Sequence, residues 1–372
     1  MALWKQIKEN RLERAAKARK GRKSIAKPES ILIWIDSAYN DQSARLVRAI
    51  ALAEGFQKSG INHIVLACPE SQNLPEESEK RHIQWVDSRP GGDPLPFFEI
   101  VKASNADLAI SDCFILPRHS SDETIPYWVL LCDVFSRQVF DSDAIQTYLM
   151  PGWILAPDFE RLDLPPSRLG NCLHGVDYVP IPTIYYDEVS SPIEPDRLLI
   201  ALSGHVNLES LRQLLDAIRN SWKDGVCILA DVNSKMAPQI REKIAGNIEL
   251  LIDPPWEKRL KAIRRAKLVL AYPSLNVYEF FAMCKPMILM PRNRQEALLC
   301  RMVLEQEAAR AVPAEEMMDL LKPCIDDLLR SEGERARLIQ RMKSLITPIS
   351  AQNVAHALLA RYARCGSGPR ML

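Results

Sequence analysis

The stretch Leu268-Val-Leu-Ala-Tyr-Pro-Ser-Leu-Asn-Val-Tyr-Glu-Phe-Phe-Ala-Met-Cys-Lys-Pro-Met-Ile-Leu-Met-Pro291 decides the fold. An apolar run, Leu268 to Ala271, breaks at Pro273-Ser274, and apolar residues then recur at helical spacing at Val277, Phe280 and Phe281. A second apolar run, Met287 to Met290, follows Pro286. Short apolar runs bounded by turn residues read as buried strands, and the spacing between them reads as a helix. Strand, helix and strand in this order make a βαβ unit. In open α/β sheets ligands sit beyond the carboxyl ends of the strands. Tyr272 to Asn276 is therefore the natural ligand-facing turn. Ser274 is placed to cap the helix, and the backbone of Ser274, Leu275 and Asn276 would meet an anion at the helix N-terminus. The same residues also suit an ordinary βα turn that holds no ligand.

Outward from this unit, the chain of 372 residues exceeds one typical core, and roughly 150 residues per domain predicts two domains. The composition is that of an ordinary soluble protein. No run approaches the roughly 18 apolar residues of a membrane-spanning helix, and the N-terminus lacks the apolar core of a secretory signal. A cytoplasmic protein is expected. The nine cysteines are scattered, without a CxxC pair or a histidine at zinc-ligand spacing, so they read as small core residues and no metal site is expected. The net charge of +1 is unevenly placed: residues 1–28 carry ten Lys or Arg against two Glu, a local +8, which leaves −7 elsewhere. This segment can form a basic helix with a thin apolar stripe of Trp4, Ile7 and Leu12. It reads either as a contact for an anionic membrane surface or as a solvated arm. Nucleic acid is not an expected partner, because the body offers no aromatic stacking platform and no basic stripe.

Taken in order, 29–160 reads as an N-terminal α/β domain. Ile31 to Ile35 is a buried strand and Ala44 to Gly55 a helix. Strands follow over Ile61 to Ala67 and Gln84 to Asp87, and a helix over Phe97 to Ser104. Leu108 to Ser111 and Tyr127 to Cys132 are further strands, ending at Asp112 and Asp133, and Gly152 to Ala156 is expected to be the last. The two carboxylates at strand ends are candidate catalytic groups, or simple loop caps. Residues 161–197 are proline-rich and read as an interdomain linker. A second domain, 198–348, restarts the rhythm with the strand Leu198 to Leu202, a turn containing Gly204 and His205, the helix Leu208 to Ile218, and strands over Gly225 to Ala230 and Ile248 to Ile252. The helix Trp256 to Ala266 leads into the opening stretch, and Gln295 to Ala309 follows it. Residues 349–372 hold a last helix, Asn353 to Tyr362, expected to pack back on the first domain.

Two doubly wound parallel-sheet domains facing a cleft, with such a turn in the second, resemble the GT-B fold. Tyr278-Glu-Phe-Phe-Ala-Met-Cys-Lys-Pro286 is similar to the YE-x-x-A-x-G-x-P element of the UDP-sugar hydrolases of pseudaminic acid biosynthesis and the related N-acetylglucosaminyltransferases of peptidoglycan synthesis. Ala106 to Asp112, Trp128 to Asp133, Gly175 to Pro180 and Leu199 to His205 match further segments of the hydrolases in the same order. The resemblance implies that Glu279 accepts hydrogen bonds from the ribose hydroxyls, that Ser274 to Asn276 hold the diphosphate, and that Gln295 contacts the sugar. Arg292 and Arg294 would add charge beside a diphosphate. Departures accompany the matches. Arg45 stands where those hydrolases carry a catalytic histidine, and an arginine cannot serve as a base near neutral pH. Ser203-Gly204-His205 keeps one glycine of a pair, Pro273 and Leu275 replace small residues, and Cys284 replaces a glycine. Two functions follow as expectations. The first is a UDP-sugar-dependent hydrolase or glycosyltransferase acting at the anomeric carbon, with Asp112, Asp133 or His205 as the base, UDP-sugar as substrate and no cofactor. In that case the basic arm would hold the protein peripherally at the inner membrane face, near a lipid-linked acceptor. The alternative is a non-catalytic GT-B-like binding or assembly protein.

Overall fold

The computed structural model describes residues 27–35, 42–68, 83–88, 97–113, 126–132, 145–151, 171–187, 197–203, 206–219, 222, 225–231, 237–244 and 248–365. The expected strand at Gly152 to Ala156 and residues 1–26 of the basic arm lie outside them. The chain divides into two compact units, one of residues 1–38, 48–180 and 349–372, the other of residues 39–47 and 181–348.

Among the described residues the first unit carries seven strands: β1 (Ile31–Ile35), β2 (Ile64–Cys68), β3 (Ile83–Asp87), β4 (Leu108–Asp112), β5 (Tyr127–Leu131), β6 (Thr147–Pro151) and β7 (Cys172–Gly175). Their order in the sheet is β3-β2-β1-β4-β5-β6-β7, and every pairing is parallel. The central strands are buried along their whole length. Parallel strands covered on both faces need unbroken apolar runs, and the sequence of β1 is one. Two strands escape the sequence reading. β6 ends in a proline, and β7 is only four residues long within the stretch read as linker, so neither shows a usable period.

Helices α1 (Gln42–Lys58) and α2 (Phe97–Ser104) join these strands. Phe97 and Phe98 of α2 pack on Trp128, with ring centroids 5.2 and 5.4 Å away, and the Trp128 indole donates to Ser111 Oγ at 2.7 Å. A buried indole needs such an acceptor. The last helix of the chain, Ser350–Cys365, belongs to this unit and buries Ala351, Val354, Ala355, Leu358 and Tyr362, the spacing of one helix face. Its contact with α1 demands a glycine, because a Cβ on Gly55 would lie 2.3 Å from the Ala351 carbonyl oxygen. Arg361 then donates to the Cys172 carbonyl at 3.0 Å, tying the helix to β7.

The second unit holds β8 (Arg197–Ser203), β9 (Gly225–Asp231), β10 (Ile248–Ile252), β11 (Ala266–Ala271), β12 (Met287–Leu289) and β13 (Arg310–Ala311). They lie in the order β10-β9-β8-β11-β12-β13, again all parallel. Helices α3 (Ile184–Asp187), α4 (Leu208–Arg219), α5 (Ala237–Lys243), α6 (Trp256–Arg264), α7 (Val277–Ala282), α8 (Arg294–Glu305), α9 (Met317–Arg330) and α10 (Glu332–Leu345) accompany them, so the terminal helix is α11. Side chains cap several of these. Asn207 Oδ1 accepts from the Glu209 and Ser210 amides, Asn293 Oδ1 from Glu296 N at 2.9 Å, and Ser331 Oγ from Glu334 N at 3.2 Å. The pair α9 and α10 is not predicted by the sequence reading, and Pro323 inside α9 interrupts the pattern that would announce it.

Candidate functional site

Both sheets reverse their winding at one place, between β1 and β4 in the first and between β8 and β11 in the second. At such a switch point the connections leave in opposite directions and open a crevice beyond the carboxyl ends of the strands. The second switch point is where the opening stretch of the sequence lands. β8 ends at Ser203, β11 ends at Ala271, and Tyr272 to Asn276 form the turn into α7.

Arg292, three residues past β12, reaches back across this edge. Its guanidinium carbon lies 3.8 Å from the centre of the Tyr272 ring, and Nη2 donates to the Ser203 carbonyl at 3.1 Å. Glu296, one turn into α8, holds the other side: Arg292 Nε is 3.1 Å from both carboxylate oxygens and the Arg292 amide donates to Oε2 at 2.8 Å. Glu296 is itself fixed by the Asn293 cap. The arginine side chain keeps 20% of its surface exposed while Glu296 keeps 6%. A cation is thus held in one orientation by a ring face, a carbonyl and a carboxylate, at the edge where such sheets take ligands. Burial pushes the Tyr272 phenol above its ordinary range, so the ring stays neutral beneath the guanidinium. Gln295 is exposed on the first turn of α8, beside Arg294.

In the turn, Ser274, Leu275 and Asn276 are all buried. The Ser274 hydroxyl accepts from the Asn276 amide at 3.3 Å, so it closes the turn rather than the helix. The amides of Val277, Tyr278 and Glu279 donate to the carbonyls of Ser274, Leu275 and Asn276. These helix-start donors are used within the turn, and positive charge comes from the partly exposed Arg292 and the exposed Arg294 two residues on.

Glu279 points into the unit. Arg259 of α6 grips it in a two-bond fork, Nε to Oε2 and Nη2 to Oε1, both 2.8 Å, and the Tyr185 hydroxyl of α3 donates to Oε2 at 2.5 Å. Burial, reinforced by the neighbouring carboxylate, drives the Tyr185 phenol well above its ordinary range and keeps it a donor. Sequence reasoning did not single out Arg259 or Tyr185.

Cys284 explains one departure from the resemblance. It adopts φ +52°, its amide donates to Phe281 O, and the Lys285 amide donates to Phe280 O. This is the Schellman end of α7, where glycine is usual because of the left-handed backbone. The glycine replaced here belongs to a helix terminus rather than to a phosphate loop, so its loss does not bear on close approach of a ligand. Lys285 then latches the turn, donating to the carbonyls of Arg264 and Ala266, and burial pushes its amine down to about 8.

At the first switch point Asp112, the last residue of β4, is buried against Arg48 of α1, whose Nη2 lies 2.9 and 2.8 Å from its two oxygens. Proton transfer through Asp112 would require Arg48 to let go. Arg45 is buried on the same helix. Asp133, Gly204 and His205 lie outside the described residues. Among the described residues no three His, Cys, Asp or Glu side chains gather as a metal site would require, and no helix is long and apolar enough to cross a membrane.

No protein-family model and no curated protein matches the chain. Solved structures do. MurG of Acinetobacter baumannii is similar over 89% of this chain and 99% of its own, with TM-score 0.53 and 13% identity. UGT89C1 of Arabidopsis thaliana, solved with UDP-L-rhamnose, covers 91% and 100% with TM-score 0.58 and 10% identity. A glycosyltransferase of Rickettsia africae ESF-5 covers 91% and 100% with TM-score 0.59 and 11% identity. Identities this low speak for architecture alone. With seven and six parallel strands in two doubly wound units, matched nearly end to end by these structures, the chain has the GT-B fold.

Proposed function

We propose that the protein is a glycosyltransferase that takes a nucleoside diphosphate sugar, with UDP-sugar as the first candidate donor, at the switch point of its second sheet. The observation that carries this reading is Arg292, partly exposed at the carboxyl edge and held by Tyr272, Ser203 and Glu296. A guanidinium fixed there suits a diphosphate, whose oxygens accept charge-assisted hydrogen bonds. In the transfer, the bond from the anomeric carbon to the diphosphate oxygen breaks and its electron pair stays on the diphosphate. The acceptor hydroxyl oxygen bonds to that carbon and gives its proton to a base. Arg292 would oppose the negative charge that builds on the leaving diphosphate. With Asp112 tied to Arg48, Asp133 and His205 are the sequence candidates for the base, and Gln295 is the candidate sugar contact. The fold neighbours support the donor class: UGT89C1 was solved with UDP-L-rhamnose and the spinosyn rhamnosyltransferase SpnG with thymidine diphosphate. The basic residues 1–28 would bring such a site to an anionic membrane carrying a lipid-linked acceptor.

The test is thermal denaturation against UDP, TDP, GDP, ADP and UDP-N-acetylglucosamine. A ligand that binds only the native state raises the melting temperature with ln(1 + [L]/Kd). The reading expects a rise with pyrimidine nucleoside diphosphates, and release of UDP from a UDP-sugar once an acceptor is supplied. No shift with any of them at millimolar concentration contradicts it. A shift without turnover favours the non-catalytic alternative.

A further inference from the structure

Glu279 is the residue to which the family resemblance gives the ribose hydroxyls, yet its carboxylate is held inside the second unit. Arg259 takes both oxygens in a fork and Tyr185 adds a third donor. The three side chains come from α6, α3 and α7, and those of Arg259 and Glu279 are 3% and 1% exposed. Trp256 packs edge-on against the Tyr185 ring at 5.5 Å. A ribose diol could reach this carboxylate only by displacing its charge-assisted bonds to the buried Arg259, a loss that a neutral hydroxyl donor does not offset.

We infer that Glu279, Arg259 and Tyr185 form an internal clamp that positions the turn before α7, and that the second unit consequently does not read the ribose hydroxyls through Glu279. The substrate class widens accordingly: ribonucleoside and 2′-deoxyribonucleoside diphosphates are taken with similar affinity. This rests on the reading that the second unit binds a nucleoside diphosphate.

The experiment has two arms, both on the full chain. Calorimetric titration with UDP and with 2′-deoxy-UDP is expected to give dissociation constants within about threefold of each other. UDP binding about tenfold tighter or more, with the gap abolished in Glu279→Gln, is the signature of a hydrogen bond to a charged acceptor and overturns the inference. The second arm is a melting-temperature cycle of Arg259→Met, Glu279→Met and the double variant. Each single change is expected to lower the melting temperature by about 10 °C, and the double variant to regain most of it. Additive losses overturn the clamp. If neither nucleotide binds, the proposed function fails while the cycle still decides the clamp.

Discussion

The two sheets share one winding and differ in what sits at its reversal. In the first, Arg48 closes over Asp112 and both side chains are almost wholly covered, at 4% and 2% exposure. In the second, Arg292 shares its charge with Glu296 but keeps a fifth of its surface in the open, above Tyr272. An arginine can therefore plug a switch point or furnish it. Topology gives both units a switch point, and the exposure of the cation distinguishes the second.

Breaking the plug gives the largest expected effect. Arg48→Met removes both bonds that Arg48 makes to the buried Asp112 and is expected to destabilise the protein by about 3–5 kcal/mol, measured by chemical denaturation. Arg48→Met with Asp112→Leu should recover most of that, and little recovery would mean the pair is not closed. Arg292→Met sharpens the comparison from the other side. It should weaken nucleoside diphosphate binding by about 10- to 100-fold, the equivalent of about 1.5–3 kcal/mol for hydrogen bonds to a charged group, with a smaller loss of stability because the residue is partly solvated. Titration calorimetry reads the first and melting the second.

The units also differ in where they need glycine. Gly55→Ala in the first forces a methyl onto the Ala351 carbonyl and should cost about 1–3 kcal/mol; an unchanged melting temperature would show that α11 does not pack so closely on α1. Cys284→Gly in the second relieves the left-handed backbone at φ +52° and should stabilise by about 1 kcal/mol. A fall in melting temperature would mean that packing of the thiol outweighs the strain.

The sequence was most legible where burial is two-sided. Ile31 to Ile35 and Leu268 to Ala271 have no polar residue because neither face meets water, and they announce the parallel strands directly. β7 is short and set among prolines, and α9 contains Pro323, so the same signals are absent there. The turn Tyr272 to Asn276 was legible from its position after a strand. Arg292 and Glu279 were named beside it, but the groups that hold them were not. Arg259 and Tyr185 lie 20 and 94 residues from Glu279, and Arg292 lies 89 residues from Ser203. Contacts at such separations leave no periodicity to detect. Asp112 was visible at a strand end, but its partner Arg48, 64 residues upstream, was not.

The most direct test of the central claim is titration of UDP into the wild-type protein, Arg292→Met and Arg48→Met side by side, below the melting temperature of each. Similar affinity in wild type and Arg48→Met, with binding about 10- to 100-fold weaker in Arg292→Met, is the predicted result. Unchanged affinity in Arg292→Met, or binding that is lost only when Arg48 is changed, would contradict the assignment of the nucleotide to the second unit.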